Sequence, residues 1–554
     1  MKKLNNIILT ILILIEPFLD TYFLYNCGVE VLGFKISTII RYILLGALLL
    51  LLLIQDRFKN KRKGLIIYFI VFLIYLVLHH VNALNFKSLI PGNFDYNLIE
   101  ELFYITRYFF PLVLIYYLNT IPISNNFFKK IIVIFSFVVS ISVIFSNIFL
   151  LSKSSYYDYN ISYNIFDWFV KDISYSTAST RGFFYATIVM TNLLLITPYI
   201  YTLYYKEGKY LYLTAIVCNM FALFMAGTKA CTLGFVIIAI MMCIIYLFFS
   251  IIVKEFKIDL GKLFASIAIV IMCFVLLPNS PMTQRFFLTN DMFKDNNENN
   301  NNNNQNIITK PDHNSGNSFN DSIIVDDPDS DKYELGKYQD LKSINEIEDV
   351  EKRKILIKKF IAQNYDNVGI TPTLFIDSYS FKYDYEFWTN IILNETAEQK
   401  ADNRNIQTKI FERIKEVNSS KMDDLFGLTY SRTSKIFNLE RDFLYQYYSL
   451  GIVGVLLFLG PLVLLLLVCM LKMLKNKELL NIENTSLCFG VGLLLCVALY
   501  SGNMLDNLGI IIILGFVEGY LISNAFSSKI EIKKIKKTKK KKGVLPKVSG
   551  KPTN

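Results

Sequence analysis

Three short segments place charged side chains where long apolar runs end, and these are the residues whose types and spacing are suited to chemistry. STASTRGFFYAT carries Arg181, with Asn192 halfway down the apolar run it enters. MAGTKACTLG carries Lys229 in a tight turn between two apolar runs. FNLERDFLYQYYSLGIVG carries Glu440, Arg441 and Asp442 ahead of Gly451 and Gly454, two glycines that permit close helix contact. Cations fixed at a lipid–water boundary can hold an anionic group, and a carboxylate beside them can accept a proton. Each feature also has a plain structural explanation. Lysines and arginines at helix ends snorkel to the interface, and Glu440 to Asp442 suit a helix N-terminus, where a cap and a first-turn negative charge are favoured. Glu16, Asp20, Glu100, Glu101, Arg107 and Glu518 fall in or beside apolar runs, where a charge serves either function or an interhelical salt bridge. The tyrosine pairs 116/117, 204/205 and 447/448 fit interfacial belts.

The elements that must position these residues follow from composition. The chain has 554 residues, 53% hydrophobic and only 19% charged, with a mean hydropathy of +0.38. That excludes a water-soluble enzyme. A spanning helix needs roughly 20 apolar residues, and such windows fall at 6–25, 37–54, 64–79, 99–118, 131–151, 183–205, 210–226, 230–252, 263–277, 446–471, 486–501 and 507–525. The predicted fold is an all-α polytopic membrane protein of about 12 transmembrane helices. A large external, mainly helical loop separates helices nine and ten. Residues 1–277 hold the first nine helices, 278–441 the loop, 442–528 the last three and 529–554 a basic tail. Nine helices before the loop and three after it disfavour a carrier built from two similar halves.

Charge sets the orientation. With the N-terminus inside, the N-terminal segment and the short internal loops hold 17 cations. The short external loops hold six: Lys35, Lys87, Lys153, Lys171, Arg181 and Lys229. That bias places both termini in the cytoplasm. The long loop carries 27 acidic against 21 basic residues, as an external segment should. The net charge of +11 therefore reports topology, and no nucleic-acid partner is expected. The Lys533 to Lys542 run KKIKKTKKKK fits a cytoplasmic stop signal resting on anionic membrane lipids. The first apolar run lacks a small-residue cleavage site and is read as a retained helix. Within the loop, residues 296–331 form an Asn/Asp-rich tract too polar to order itself. Beyond it, Ile355 to Ile361, Phe387 to Ile392 and Ile406 to Val417 repeat at helical spacing and predict a small helical cap. Seven of the eight cysteines lie in apolar windows and Cys27 stands alone outside, so no disulfide framework is expected. His79, His80 and His313 lack zinc-site spacing. Neither a metal nor a cofactor is expected.

The order of these segments resembles the O-antigen ligase and polymerase superfamily of bacterial membrane glycosyltransferases. The shared pattern is a basic residue with Gly-Phe-Phe at helix six, a Gly-Thr-Lys turn after helix seven, a large loop after helix nine, and an acidic or His-Asn motif eleven residues before Gly-x-x-Gly. The resemblance implies an enzyme of the bacterial plasma membrane. It moves a glycan from an undecaprenyl-diphosphate carrier to an acceptor hydroxyl, on an acceptor glycan or another lipid-linked glycan, at the outer face. By that resemblance Arg181 and Lys229 hold the leaving diphosphate, and Arg404, ahead of FGLTYS, is a third cation, with Arg441 a further one flanking Glu440. Eleven residues before Gly451 stands Glu440, where the ligases carry a histidine base. Glu440 with Asp442 looks more like the polymerase-type relatives, implying catalytic carboxylates and a polymerase of surface polysaccharide. A ligase, a lipid-linked oligosaccharide flippase or another secondary transporter are the alternatives. A metal-dependent glycosyltransferase would need an acidic motif in the first external loop, where only Glu30 is available.

Overall fold

In the computed structural model, residues 2–25, 30–31, 34–54, 62–91, 94–288, 335, 340–365, 368–437 and 439–542 are described. The tract 296–331, Cys27, His313 and residues 543–554 lie outside them. The first part of the chain forms α1 (Lys2–Leu19), α2 (Ile36–Ile54), α3 (Arg62–Leu84), α4 (Leu98–Arg107), α5 (Phe109–Thr120) and α6 (Asn125–Ile148). It continues as α7 (Thr191–Glu207), α8 (Tyr210–Met225), α9 (Lys229–Ile251) and α10 (Leu260–Leu276). A cap follows, with α11 (Val350–Gln363), α12 (Tyr385–Asn394), α13 (Asn403–Asn418) and α14 (Tyr430–Ile436). The chain then returns to the bundle as α15 (Asp442–Phe458), α16 (Gly460–Lys475), α17 (Ile482–Tyr500) and α18 (Leu508–Lys542).

Every apolar window falls on helix, but among the described residues nine helical stretches are long and apolar enough to cross a membrane. The other three windows meet physical interruptions. The first lies on α1, an 18-residue helix that includes Lys2, Lys3 and Glu16. The second is divided at Tyr108 into α4 and α5. The third, α8, has only 16 residues. The window at 183–205 starts late: Gly182 turns with φ +66°, and a short 3₁₀ turn over Thr187–Met190 precedes α7. Asn192 thus lies in the first turn of α7, not halfway down it.

Helix α7 is the axis of the bundle, with its residues from Thr191 to Tyr205 all buried. Gly490 lets α17 lie directly on it, since a Cβ there would sit 2.2 Å from the Leu195 carbonyl oxygen. Polar side chains join the helices across this dry contact. Ser136 donates to Asn219 at 2.8 Å, Asn219 to Thr197 at 2.9 Å and Thr202 to Ser486 at 2.9 Å. Each bond removes a polar group that would otherwise be stranded in an apolar interior.

The cap has its own core, in which Ile357, Ile361, Trp388, Ile406, Ile410 and Phe411 are buried. Arg413 grips Asp384 at 2.8 Å, which pushes the Arg413 guanidinium above its ordinary range. The cap is fastened to the end of α3 and the chain beyond it. Arg432 donates to the carbonyls of Phe94 (2.8 Å) and Ala83 (2.7 Å), Asn82 to Asp423 (2.9 Å), and the Lys87 amide to Asn418 (2.8 Å).

The tightest joint lies between the FGLTYS turn and α15. Gly451 stands at φ +69°, ψ 175° and breaks α15, releasing carbonyls from the helical ladder. The amides of Leu428 and Thr429 donate to the carbonyls of Tyr448 (2.7 Å) and Ser449 (3.0 Å), and the Tyr75 hydroxyl donates to the Leu450 carbonyl (2.9 Å). Gly451 therefore makes a break that the cap fills. Both glycines allow close contact: a Cβ on Gly451 would lie 2.4 Å from the Leu425 carbonyl, and one on Gly454 2.6 Å from the Tyr75 hydroxyl.

Candidate active site at the cap end

The STASTRG and GTK segments are built together. The Thr180 amide donates to the Met225 carbonyl at 2.8 Å, and Gly227, at φ +66°, sits where a Cβ would press within 2.7 Å of Ser179 Cβ. Arg181 does not enter the helix but lies in the preceding loop, 9% exposed. Its Nη1 donates to the Tyr185 carbonyl at 3.0 Å, its Nη2 to the Asp158 carboxylate, and its Nε has no partner among the described residues. Lys229 opens α9 behind the cap residue Thr228, whose hydroxyl accepts from the Cys231 amide at 3.2 Å. Its side chain is exposed, with Nζ 5.3 Å from the Phe286 ring centroid.

The third segment differs from its neighbours in exposure. Glu440 is exposed, and its Oε2 accepts two bonds from Arg404, at 3.0 Å from Nε and 2.7 Å from Nη2. Among the described residues its Oε1 has no hydrogen-bond partner. Arg404 stands in the first turn of α13 and also donates to the Tyr500 carbonyl at 3.4 Å. Arg441 is half-buried and caps α15. Asp442 is fully buried: Oδ1 accepts from the Asn503 amide at 2.7 Å, and Oδ2 from Met504 at 2.8 Å and Leu505 at 3.0 Å. Its acceptor positions are committed to main chain, a geometry that holds a loop.

That loop, SGNMLDN (501–507), joins the two sides of the site. A Cβ on Gly502 would lie 2.4 Å from Glu440 Cα. Asp506 Oδ1 accepts from Tyr104 (2.6 Å), Tyr108 (3.1 Å) and Gln446 (2.9 Å). Arg107 donates to the Asp506 carbonyl at 3.1 Å and stacks on Tyr104, 4.4 Å from its centroid. Asn507 donates to the Tyr185 hydroxyl at 2.6 Å, and the Tyr185 carbonyl holds Arg181. Glu440 and Arg181 are thus connected through opposite ends of one seven-residue loop. Among the described residues, Lys229 connects to it through the Arg181 segment.

Asp506, Tyr104, Tyr108, Gln446, Tyr185 and Asp158 do not stand out in the sequence. Asp506 had a usable signal, a polar break between two apolar windows. The others are single polar residues in apolar or aromatic context, and their meeting depends on tertiary structure. The flanking intramembrane charges are mostly paired. Arg41 bonds Glu16 and Asp20 at 2.7 Å each. His79 meets Glu101 at 2.9 Å and the Phe426 carbonyl at 2.5 Å. Glu518 is fully buried, and neither of its oxygens has a partner among the described residues.

An all-helical membrane bundle with cations and carboxylates gathered at one end defines a class before it defines a reaction. Residues 2–527 match the family model of O-antigen ligase like membrane proteins, and the chain belongs to that family. A comparison with individually curated proteins finds no match. The family makes this a multi-pass membrane protein of polysaccharide assembly, a glycan-transferring enzyme whose substrates are lipid-linked glycans.

Proposed function

We propose that the protein extends a surface polysaccharide by moving a glycan from undecaprenyl diphosphate to an acceptor hydroxyl at the outer face of a bacterial plasma membrane. The observation that carries this reading is the geometry of Glu440: one carboxylate oxygen is clamped by Arg404 and the other is open, and the residue packs against the loop that also leads to Arg181. A base so held is oriented before substrate arrives. The acceptor oxygen attacks the anomeric carbon and gives its proton to Glu440. The carbon–oxygen bond to the diphosphate breaks, and the lipid diphosphate leaves with the electron pair. Arg181 and Lys229 receive that growing negative charge, with Arg441 as a further cation, in the role a metal ion would otherwise take. Asp442 is a positioning residue, because it fixes the loop beneath Glu440.

Orientation supports the same reading. Lys129, Lys206, Lys209, Lys262, Lys472 and Lys475 all lie toward the end of the bundle away from Arg181, as a cytoplasmic face opposite the site requires. A glutamate in place of the ligase histidine favours polymerisation over ligation. The test is the chain length of the surface glycan in Glu440→Gln, Arg181→Ala and Lys229→Ala strains expressing normal protein levels. Truncated or absent polymer is expected, and full-length polymer in all three would remove the site.

A further inference from the structure

We propose that the turn formed by residues 153–160 is a saccharide subsite for the sugar attached to the lipid diphosphate, with Tyr157 and Tyr159 as its stacking surface and Asp158 as its hydroxyl acceptor. The proposal rests on the reading that Arg181 holds that diphosphate. The turn is braced on both cation-bearing segments. Lys153 pairs with Asn160 and Ser154 with Thr180, the Arg181 amide donates to the Lys153 carbonyl at 3.1 Å, and the Tyr156 hydroxyl donates to the Gly227 carbonyl at 2.8 Å. Arg285 lies 4.3 Å from the Tyr156 ring centroid. What projects from this frame is a pair of tyrosines, 50% and 42% exposed, whose rings stack with centroids 5.2 Å apart and planes 13° apart. Between them in the sequence is Asp158, its side chain 80% exposed, accepting from Arg181, whose own side chain is 11% exposed.

An exposed carboxylate on a nearly buried cation is a weakly held occupant, because solvent screens its side of the pair. A diphosphate offers more charge and more acceptor oxygens to a guanidinium, so it displaces Asp158 from Arg181. The freed carboxylate is then carried by the residue that links the two stacked tyrosines. Aromatic faces are electron-rich and take the partially positive C–H face of a pyranose, while a carboxylate accepts from neighbouring hydroxyls. A sugar bonded to the phosphate at Arg181 meets both. Interfacial anchoring explains the rings less well, since the tip carries a carboxylate that lipid contact would penalise.

The test is binding to full-length protein in nanodiscs, with farnesyl diphosphate and a panel of farnesyl-diphospho-hexoses and N-acetylhexosamines as probes. The best glycosylated ligand should bind about tenfold tighter than bare farnesyl diphosphate, equivalent to about 1.4 kcal/mol. The Y157A/Y159A pair should lose that gain with bare affinity within about twofold of wild type, while Y157F/Y159F keeps it. Asp158→Asn should tighten bare binding severalfold and lose part of the gain. The inference is overturned if no sugar on the panel improves binding, or if the gain survives in the alanine pair. Should the alanine pair lose bare binding as well, Asp158→Asn decides, and unchanged affinities there overturn the inference. Failure of the underlying reading looks different: Arg181→Ala would bind bare farnesyl diphosphate as wild type does.

Discussion

The two ends of the bundle handle charge in opposite ways. Away from the cap, lysines and carboxylates neutralise one another. Glu207 takes Lys129 and Lys209 at 2.7 Å each, and Lys206 lies 3.4 Å from both Glu255 and Glu483. At the cap end Arg404, Arg413 and Lys415 are paired within the cap, but the cations of the bundle beneath it are left short of anions. Arg181 has a single, mostly exposed carboxylate, and among the described residues neither Lys229 nor Arg107 has a carboxylate within 4.0 Å. Self-neutralised charge fastens helices together, whereas uncompensated cations are ready to receive charge from outside. The contrast separates structural from substrate-directed charge where residue type alone does not.

The strongest way to break the contrast is to remove one charge from each end. Glu440→Gln should lower polymer formation in membranes by about 100-fold or more, the scale on which a group acting in the transition state contributes. Lys129→Ala, which opens a half-exposed pair at the other end, should leave activity within about threefold and stability within about 1 kcal/mol. Equal losses would erase the distinction.

A second experiment asks whether the cap must be locked to the bundle for the cap end to work. Gly451→Ala puts a Cβ 2.4 Å from the Leu425 main chain at a positive φ, and should cost about 2–3 kcal/mol of stability with a parallel loss of activity. Thermal unfolding monitored by a cap-specific proteolysis site checks it, and an unaltered cap would show the joint to be dispensable.

The smallest effect sharpens the comparison within the cap itself. Lys415 bonds Asp424 and, with Tyr447, holds that carboxyl below its ordinary range. Because the folded-state value is depressed, the contribution is complete above the unfolded carboxyl's value of about pH 4 and drains away as pH falls through the folded one. Asp424 is well exposed, so under ~1 kcal/mol is at stake. Melting from pH 6 to pH 3 should show a shallow slope that Lys415→Met flattens.

Much of the fold was legible because lipid leaves a helix few alternatives. Long apolar windows marked helices, and the spacings at Ile355–Ile361, Phe387–Ile392 and Ile406–Val417 coincide with α11, α12 and α13. Interruptions were harder to see. Tyr108 dividing α4 from α5, and Gly451 breaking α15, are decided by what packs against them. The site shows the same division. Arg181, Glu440 and Arg404 advertise themselves by charge at helix ends. The loop 501–507 does not, because it acts through main-chain amides and a carboxylate whose tyrosine partners are some 400 residues away.

Gly427 and Gly451 face each other across the joint, and a Cβ on either would strike main chain at 2.4 Å. Where an obstruction is a side chain, a partner mutation can trim it. Backbone cannot be trimmed, so neither position has a compensating change anywhere in the chain. Redesign of the cap would have to proceed around this pair, altering α11 to α13 while leaving the seat itself untouched.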